Sequence, residues 1–168
     1  AETGADPERV FAFHSLSKRS SLPGLRSGFV AGGPRGIAEI RKLRAFAGAP
    51  VPLPLQRVSE HAWADEAHVD QSRALYHEKF RLADQIFAGL QGFAVPEGGF
   101  FLWLPVEDGE QSALKLWRET GVRVLPGAYL SRDVGGQNPG KAYLRVALVA
   151  PIEETQRGLT LLRDCIYG

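Results

Sequence analysis

The first third of the chain places short apolar runs on either side of a polar loop. Residues 10–13 and 28–31 are apolar runs of strand length, and a serine-rich segment separates them. Pro34 suits the first turn of a helix. From Ile37 to Phe46, apolar residues recur at helical spacing, and Gly48 follows. The pattern predicts two strands and then one amphipathic helix.

The middle of the chain begins with alternating prolines. Pro50, Pro52 and Pro54 favour an extended connector over a helix, so we predict a domain boundary here. Residues 56–90 then have a helical pattern with a break near Asp65. Within the second part of this segment, apolar residues at spacings of three and four predict a stripe that faces the core. The stripe consists of Tyr76, Phe80, Ala83, Phe87 and Leu90.

The last part of the chain alternates between strand and helix patterns. Residues 93–95, 100–104, 122–125 and 142–149 are predicted strands. Residues 112–120 form a predicted helix that ends at Gly121, and Pro151 opens an amphipathic final helix. These elements predict a mixed α and β fold with a small, mostly antiparallel sheet.

Composition narrows the functional class. The chain has 168 residues, of which 44% are apolar and 23% charged, as in a soluble globular protein. A net charge of +1 creates no bulk field that favours nucleic acid or an anionic membrane. Cys165 is the single cysteine, which excludes an internal disulfide and a zinc site built on cysteines. We expect a cytoplasmic protein with no metal site and no nucleic-acid partner.

The loop between the first two strands carries the candidate chemistry. Ser15, Ser17 and Lys18 follow a predicted strand end, which is where α/β proteins bind ligands. A lysine there can react with an aldehyde when burial or a nearby cation destabilises its ammonium. Arg26, eight residues further on, can hold a phosphate by two hydrogen bonds. Spacing alone favours an ordinary solvated loop; the alternative is a site for a phosphorylated aldehyde.

The segment SLSKRSSLPGLRSGFVAG resembles the cofactor-lysine segment of the fold-type I pyridoxal-phosphate aminotransferases, the aspartate aminotransferase superfamily. The resemblance implies that Lys18 carries pyridoxal 5'-phosphate and that Ser15 and Arg26 bind its phosphate. Ser17 is a further expected contact. The positions that match the family pattern are Ser15, Lys18, Arg26, Gly28 and Phe29.

A second segment, YLRVALV, resembles the family's strand that carries the arginine for the substrate α-carboxylate. The resemblance assigns that role to Arg145, and a planar guanidinium is a natural partner for a carboxylate. The alternative is a surface arginine on an edge strand. Alternation puts Leu144 and Val146 on the opposite face, so Arg145 points either into a site or into water.

Further segments, among them PLPLQ, LPGAYLSR and LRVALVAP, most resemble bacterial succinyldiaminopimelate aminotransferases. The resemblance implies an α/β fold-type I protein that transfers an amino group between an amino acid and a 2-oxo acid. The expected pair is N-succinyl-diaminopimelate and 2-oxoglutarate, in lysine biosynthesis, and the family implies a homodimer. We expect residues 1–50 to be a remnant of the large domain and residues 51–168 to be the interdomain helix and small domain.

Two rival hypotheses stay open. A lyase or decarboxylase on the same fold would also retain the carboxylate arginine. The second rival hypothesis is a non-catalytic domain. In the family that this chain resembles, the residues that bind the cofactor ring precede the lysine, and only seventeen residues precede Lys18 here. For the aromatic residues Phe101, Trp103 and Tyr129, packing is favoured over a place in the site.

Overall fold

The computed structural model describes residues 4–168, so residues 1–3 of the expected large-domain remnant lie outside it. The chain forms two compact units, which divide between Arg73 and Ala74, inside one helix. The domain boundary expected at residue 50 stays a prediction. Among the described residues, no helix combines the length and apolar character that crossing a membrane requires.

The first unit is built around an antiparallel hairpin. Strands β1 and β2 pair with Phe11 opposite Gly32 and Ser15 opposite Gly28, so the two ends of the serine-rich loop meet. The short helix α1 follows β1 directly. The elements of this unit are β1 (Phe11–Ser15), α1 (Leu16–Arg19), β2 (Gly28–Gly32), α2 (Pro34–Phe46), α3 (Leu53–Ala64) and the start of α4 (Ala67–Ile86).

The proline connector is shorter than the sequence predicts. Helix α3 begins at Leu53, with Pro52 as its N-cap and Pro54 inside its first turn. The prediction that Pro54 lies in an extended connector was wrong, because backbone N–H groups in a first turn have no helical acceptor to lose. The predicted break near Asp65 is confirmed. There the Asp65 carboxylate accepts hydrogen bonds from Ala67 N at 2.9 Å and from His68 Nδ1 at 2.8 Å.

The second unit is a three-stranded antiparallel sheet packed against helices, in the part of the chain that the structure describes. Its strand order is β3–β5–β4, so β5 lies in the middle. The predicted stripe is confirmed as part of the core, although α4 ends at Ile86 and Phe87 and Leu90 follow it. The elements are β3 (Phe101–Pro105), α5 (Gly109–Thr120), β4 (Leu125–Pro126), β5 (Tyr143–Ala147), α6 (Ile152–Tyr167) and the end of α4.

Two strand predictions in this unit were wrong. Residues 93–95 form no strand, and residues 122–125 contribute only Leu125 to the short strand β4. Phe93, Val122 and Val124 pack against the core from irregular segments instead. Their apolar character therefore reflects burial of side chains and not a place in a hydrogen-bonded ladder.

Candidate active site

Helix α1 holds Lys18 on an anchored turn at the end of β1. Ser15 is the N-cap of α1, and its Oγ accepts a hydrogen bond from Ser17 N at 3.1 Å. Leu16, fully buried, donates its N–H to Ser27 O at 3.1 Å. Lys18 is exposed. The buried side of this turn fixes α1, while the lysine side chain is presented outward.

The serine-rich loop returns to Ser15 because Gly28 permits a close approach. A Cβ atom at Gly28 would lie 2.5 Å from the backbone oxygen of His14, so only glycine fits opposite Ser15. The Ser15 hydroxyl also donates to Ser27 O, at 3.4 Å. Arg26 directly precedes Ser27, which places its backbone beside the start of α1. The backbone therefore keeps Ser15, Ser17, Lys18 and Arg26 in one loop region, and their roles toward a cofactor stay predictions.

Arg26 has an unusual backbone. Its φ is 49°, in the left-handed region that costs a residue other than glycine about 1–2 kcal/mol. Its Nη1 donates to Pro23 O at 3.0 Å, across the turn that precedes it, and the side chain is exposed. Backbone strain of this kind often accompanies functional loops, where it fixes the direction of one side chain.

Arg19, next to Lys18, ties α1 to the end of α3. Its Nη1 donates to Ala62 O at 3.0 Å, and its Nη2 donates to the Glu66 carboxylate. The guanidinium carbon lies 5.0 Å from the centroid of the Trp63 ring. Short-range patterns could not predict this role, because Ala62, Trp63 and Glu66 are more than forty residues away in the chain. Arg19 thus fixes the helix that carries Lys18.

Arg145 belongs to the second unit, and it lies in the central strand. It pairs with Trp103 of β3 and with Leu125 of β4, so the edge-strand alternative is wrong. Leu144 and Val146 are buried on the opposite face, while Arg145 is half-buried. Its guanidinium carbon lies 4.4 Å from the centroid of the Phe101 ring.

Two aromatic residues of the second unit, Trp103 and Tyr129, pack less deeply than expected. Trp103 is 42% exposed and lines an open cavity of about 220 Å³ with Tyr143. Tyr129 is exposed as well, and its hydroxyl donates to the Glu110 carboxylate at 2.7 Å. That hydrogen bond raises the pKa of Tyr129. The expectation of core packing was wrong for Trp103, because alternation along β3 buries Leu102 and Leu104 instead. Tyr129, expected to pack near its turn, is 62% exposed.

The donor set of the first unit fits pyridoxal phosphate. Lys18 carries an amine of the kind that reacts with an aldehyde. The hydroxyl of Ser17 and the guanidinium of Arg26 are donors for a phosphate, and the Ser15 hydroxyl would give up its 3.4 Å contact with Ser27 O to join them. Within residues 4–168, no three potential metal ligands lie close enough together to hold a metal ion.

Comparison with known proteins gives the family. The family model for aminotransferase class I and II matches residues 1–160, so the chain belongs to this family. The family and its fold depend on pyridoxal phosphate. The expected fold class, a fold-type I aminotransferase, and the cofactor expected from the lysine segment are thereby confirmed.

Individual relatives agree. The chain is similar to the 4-dedimethylamino-4-oxo-anhydrotetracycline transaminase OxyQ of Streptomyces rimosus, with 35% identity over 155 residues. The aligned region covers 91% of this chain and 41% of OxyQ. The crystal structure of an aminotransferase from Neisseria meningitidis is similar over 97% of this chain and 42% of the Neisseria chain, with a TM-score of 0.90 and 38% identity. A probable N-succinyldiaminopimelate aminotransferase from Thermus thermophilus matches 95% and 43%, with a TM-score of 0.80 and 27% identity. The chain thus spans about two fifths of the length of these relatives.

Proposed function

We propose that this chain supplies the cofactor lysine and the carboxylate-binding arginine of a pyridoxal-phosphate-dependent aminotransferase. The observation that carries the proposal is the placement of Lys18, exposed on an anchored helical turn whose loop also holds Ser15 and Arg26. Membership of the aminotransferase family supports it.

The proposal gives each of these residues a defined role. Lys18 holds the cofactor and, once released, moves a proton to and from the α-carbon of the substrate. Ser15, Arg26 and Ser17 donate hydrogen bonds to the phosphate. When bound, the cofactor withdraws electrons from the α-carbon and so weakens its C–H bond. Arg145 binds the α-carboxylate of the amino acid and of the 2-oxo acid, because both share that group.

For the substrates, we propose N-succinyl-diaminopimelate as the amino donor and 2-oxoglutarate as the acceptor, in lysine biosynthesis. The likeness to the Thermus thermophilus protein, named as a probable N-succinyldiaminopimelate aminotransferase, supports this donor. The likeness to OxyQ, a transaminase named for an anhydrotetracycline, supports a different substrate as the alternative. We propose further that the protein works as a homodimer in the cytoplasm, on the resemblance to the family.

The first test maps the reactive lysine. The chain is mixed with pyridoxal phosphate, reduced with borohydride and analysed by peptide mass spectrometry. We expect modification at Lys18 in preference to Lys42, which is also exposed but lies on α2. Arg26→Gln should reduce labelling of Lys18 because the phosphate loses a charged donor, while Arg41→Gln on α2 serves as the matched control. Scattered labelling of the lysines would refute the cofactor role of Lys18 in this chain.

A second test follows the products. With N-succinyl-diaminopimelate and 2-oxoglutarate, transamination predicts equal amounts of glutamate and the new 2-oxo acid. Carbon dioxide or ammonia without glutamate would indicate a decarboxylase or a lyase instead. Turnover that survives Lys18→Ala would refute the proposed role of the lysine.

A further inference from the structure

A continuous series of side-chain contacts leads from helix α4 to Arg145. Lys79 Nζ lies 5.3 Å from the ring centroid of Tyr76, and the rings of Tyr76 and Phe100 are 5.7 Å apart. Phe100 and Phe101 follow at 4.2 Å, and the guanidinium carbon of Arg145 lies 4.4 Å from Phe101. We call Tyr76, Phe100 and Phe101 the aromatic ladder. It joins two cations through three rings, all within the second unit.

The strand register explains why Arg145 meets Phe101. Trp103 is the direct cross-strand partner of Arg145, and Phe101 lies two residues before it, opposite Ala147. Residues two apart on a strand share a face, so Phe101 is a diagonal neighbour of Arg145 within reach of a long side chain. The arginine side chain extends over this neighbour, which gives the guanidinium one defined direction along the sheet.

The far end of the ladder is fixed to the backbone. Lys79 Nζ donates to Leu148 O at 2.9 Å, and Leu148 N donates to Phe100 O at 2.9 Å. These bonds fasten α4 to the segment just beyond β5 and to the residue just before β3. Desolvation at this site lowers the pKa of Lys79. Tyr76, Phe100 and Phe101 are all half-buried, so the surrounding fold restricts the rings on which Arg145 rests.

The geometry suits an arginine that has to bind a carboxylate. A stacked guanidinium engages its face, whereas the N–H groups that form a bidentate pair lie in its plane. Among the described residues, no oxygen atom accepts a hydrogen bond from the Arg145 guanidinium. The contact of the guanidinium with the Phe101 ring therefore restricts the arginine, while no hydrogen bond to an oxygen of the described residues occupies the donors that a carboxylate needs.

We propose that Phe101, supported by Phe100 and Tyr76, is the positioning residue that orients Arg145 for the carboxylate of the substrate. This inference rests on the carboxylate role proposed for Arg145. It goes further because it assigns the strength of carboxylate binding partly to an aromatic side chain that makes no hydrogen bond to the substrate.

The test uses NMR of the whole chain. The side-chain Nε–H signal of Arg145 is identified by its loss in Arg145→Lys. Its chemical shift is sensitive to an aromatic ring close to the guanidinium. We expect a ring-current shift that Phe101→Leu and Phe101→Met both abolish, while Phe101→Tyr keeps it. Phe93→Leu is the matched control, because the Phe93 ring contacts Phe87, outside the ladder, at a centroid distance of 5.4 Å. An Arg145 signal that stays in place in both Phe101→Leu and Phe101→Met would overturn the proposal.

The same signal then measures binding of 2-oxoglutarate. We expect Phe101→Leu to weaken this binding by about 3- to 10-fold, the range of a partly desolvated cation–π contact. Phe101→Tyr should stay within about twofold of the unmodified chain. Equal affinity in Phe101→Leu, or no effect of 2-oxoglutarate on Arg145 in the unmodified chain, would overturn the inference. The borohydride labelling of Lys18 does not involve Arg145. If that test refuted the cofactor role of Lys18, the NMR measurements would still decide whether Phe101 orients Arg145.

Discussion

At the scale of single residues, the clearest stabilising role belongs to Arg19. Its guanidinium donates to two backbone oxygens of α3 and to Glu66, and its side chain is 16% exposed. Glu66 is 65% exposed, so the carbonyl contacts contribute more than the ion pair. We predict that Arg19→Ala lowers the free energy of unfolding of the first unit by about 2 kcal/mol, because the carbonyls lose a charged donor. Urea denaturation followed at the indole signal of Trp63 measures this change.

Two further variants serve as comparisons for the loss of stability expected in Arg19→Ala. Arg19→Lys should recover only part of the loss, since one ammonium cannot reproduce a planar fork of donors. Arg41→Ala on the exposed face of α2 should stay within about 0.5 kcal/mol of the unmodified chain. Equal losses for the two alanine variants would contradict a specific role of Arg19.

At the scale of elements, two glycines of the second unit should respond to alanine with opposite sign. Gly121 ends α5 with a φ of 77°, whereas Gly158 lies inside α6. At both positions, a new Cβ would meet no atom within 4 Å, so only the backbone decides. We predict that Gly121→Ala lowers the free energy of unfolding by about 1 kcal/mol. Gly158→Ala should raise it by about 0.5–1 kcal/mol.

Thermal and urea denaturation of the two glycine variants check this pair, and each serves as the control for the other. Changes of the same sign in both variants would show that side-chain surroundings outweigh the backbone conformation.

At the scale of the whole molecule, the core is distributed unevenly. Of the apolar side chains that the structure describes as buried, Leu16 and Val69 precede Ala74, and all the others follow it. In the first unit, Phe13 is 72% exposed and Phe46 is 95% exposed. We predict that amides of β5 exchange with solvent more slowly than those of β1 by roughly 100-fold or more, because protection follows local burial.

Native-state hydrogen exchange, corrected for intrinsic rates, measures this contrast along the chain. Equal protection of β1 and β5 would show that the two units open together and would contradict the prediction.

Local rules explain what could be predicted and what could not. The core stripe on α4 and the glycine stop of α5 were predictable, since spacing and backbone freedom act within a few residues. The strand predicted at residues 93–95 failed because burial and strand pairing produce the same apolar signal. The exposure of Trp103 could not be predicted either. Tryptophan is a large apolar residue, so its side chain alone suggests a place in the core.

From the sequence, the resemblance of the serine–lysine–arginine–glycine segment predicted the family and the cofactor, and the family match confirms both. The residues assigned to the site from the same segment stay predictions. The sequence also determined the antiparallel character of the small sheet. Only the tertiary structure decided that Arg145 lies in the central strand, that it rests on Phe101 and that Arg19 ties α1 to α3. These contacts join residues far apart in the chain, and short-range patterns carry no information about such pairs.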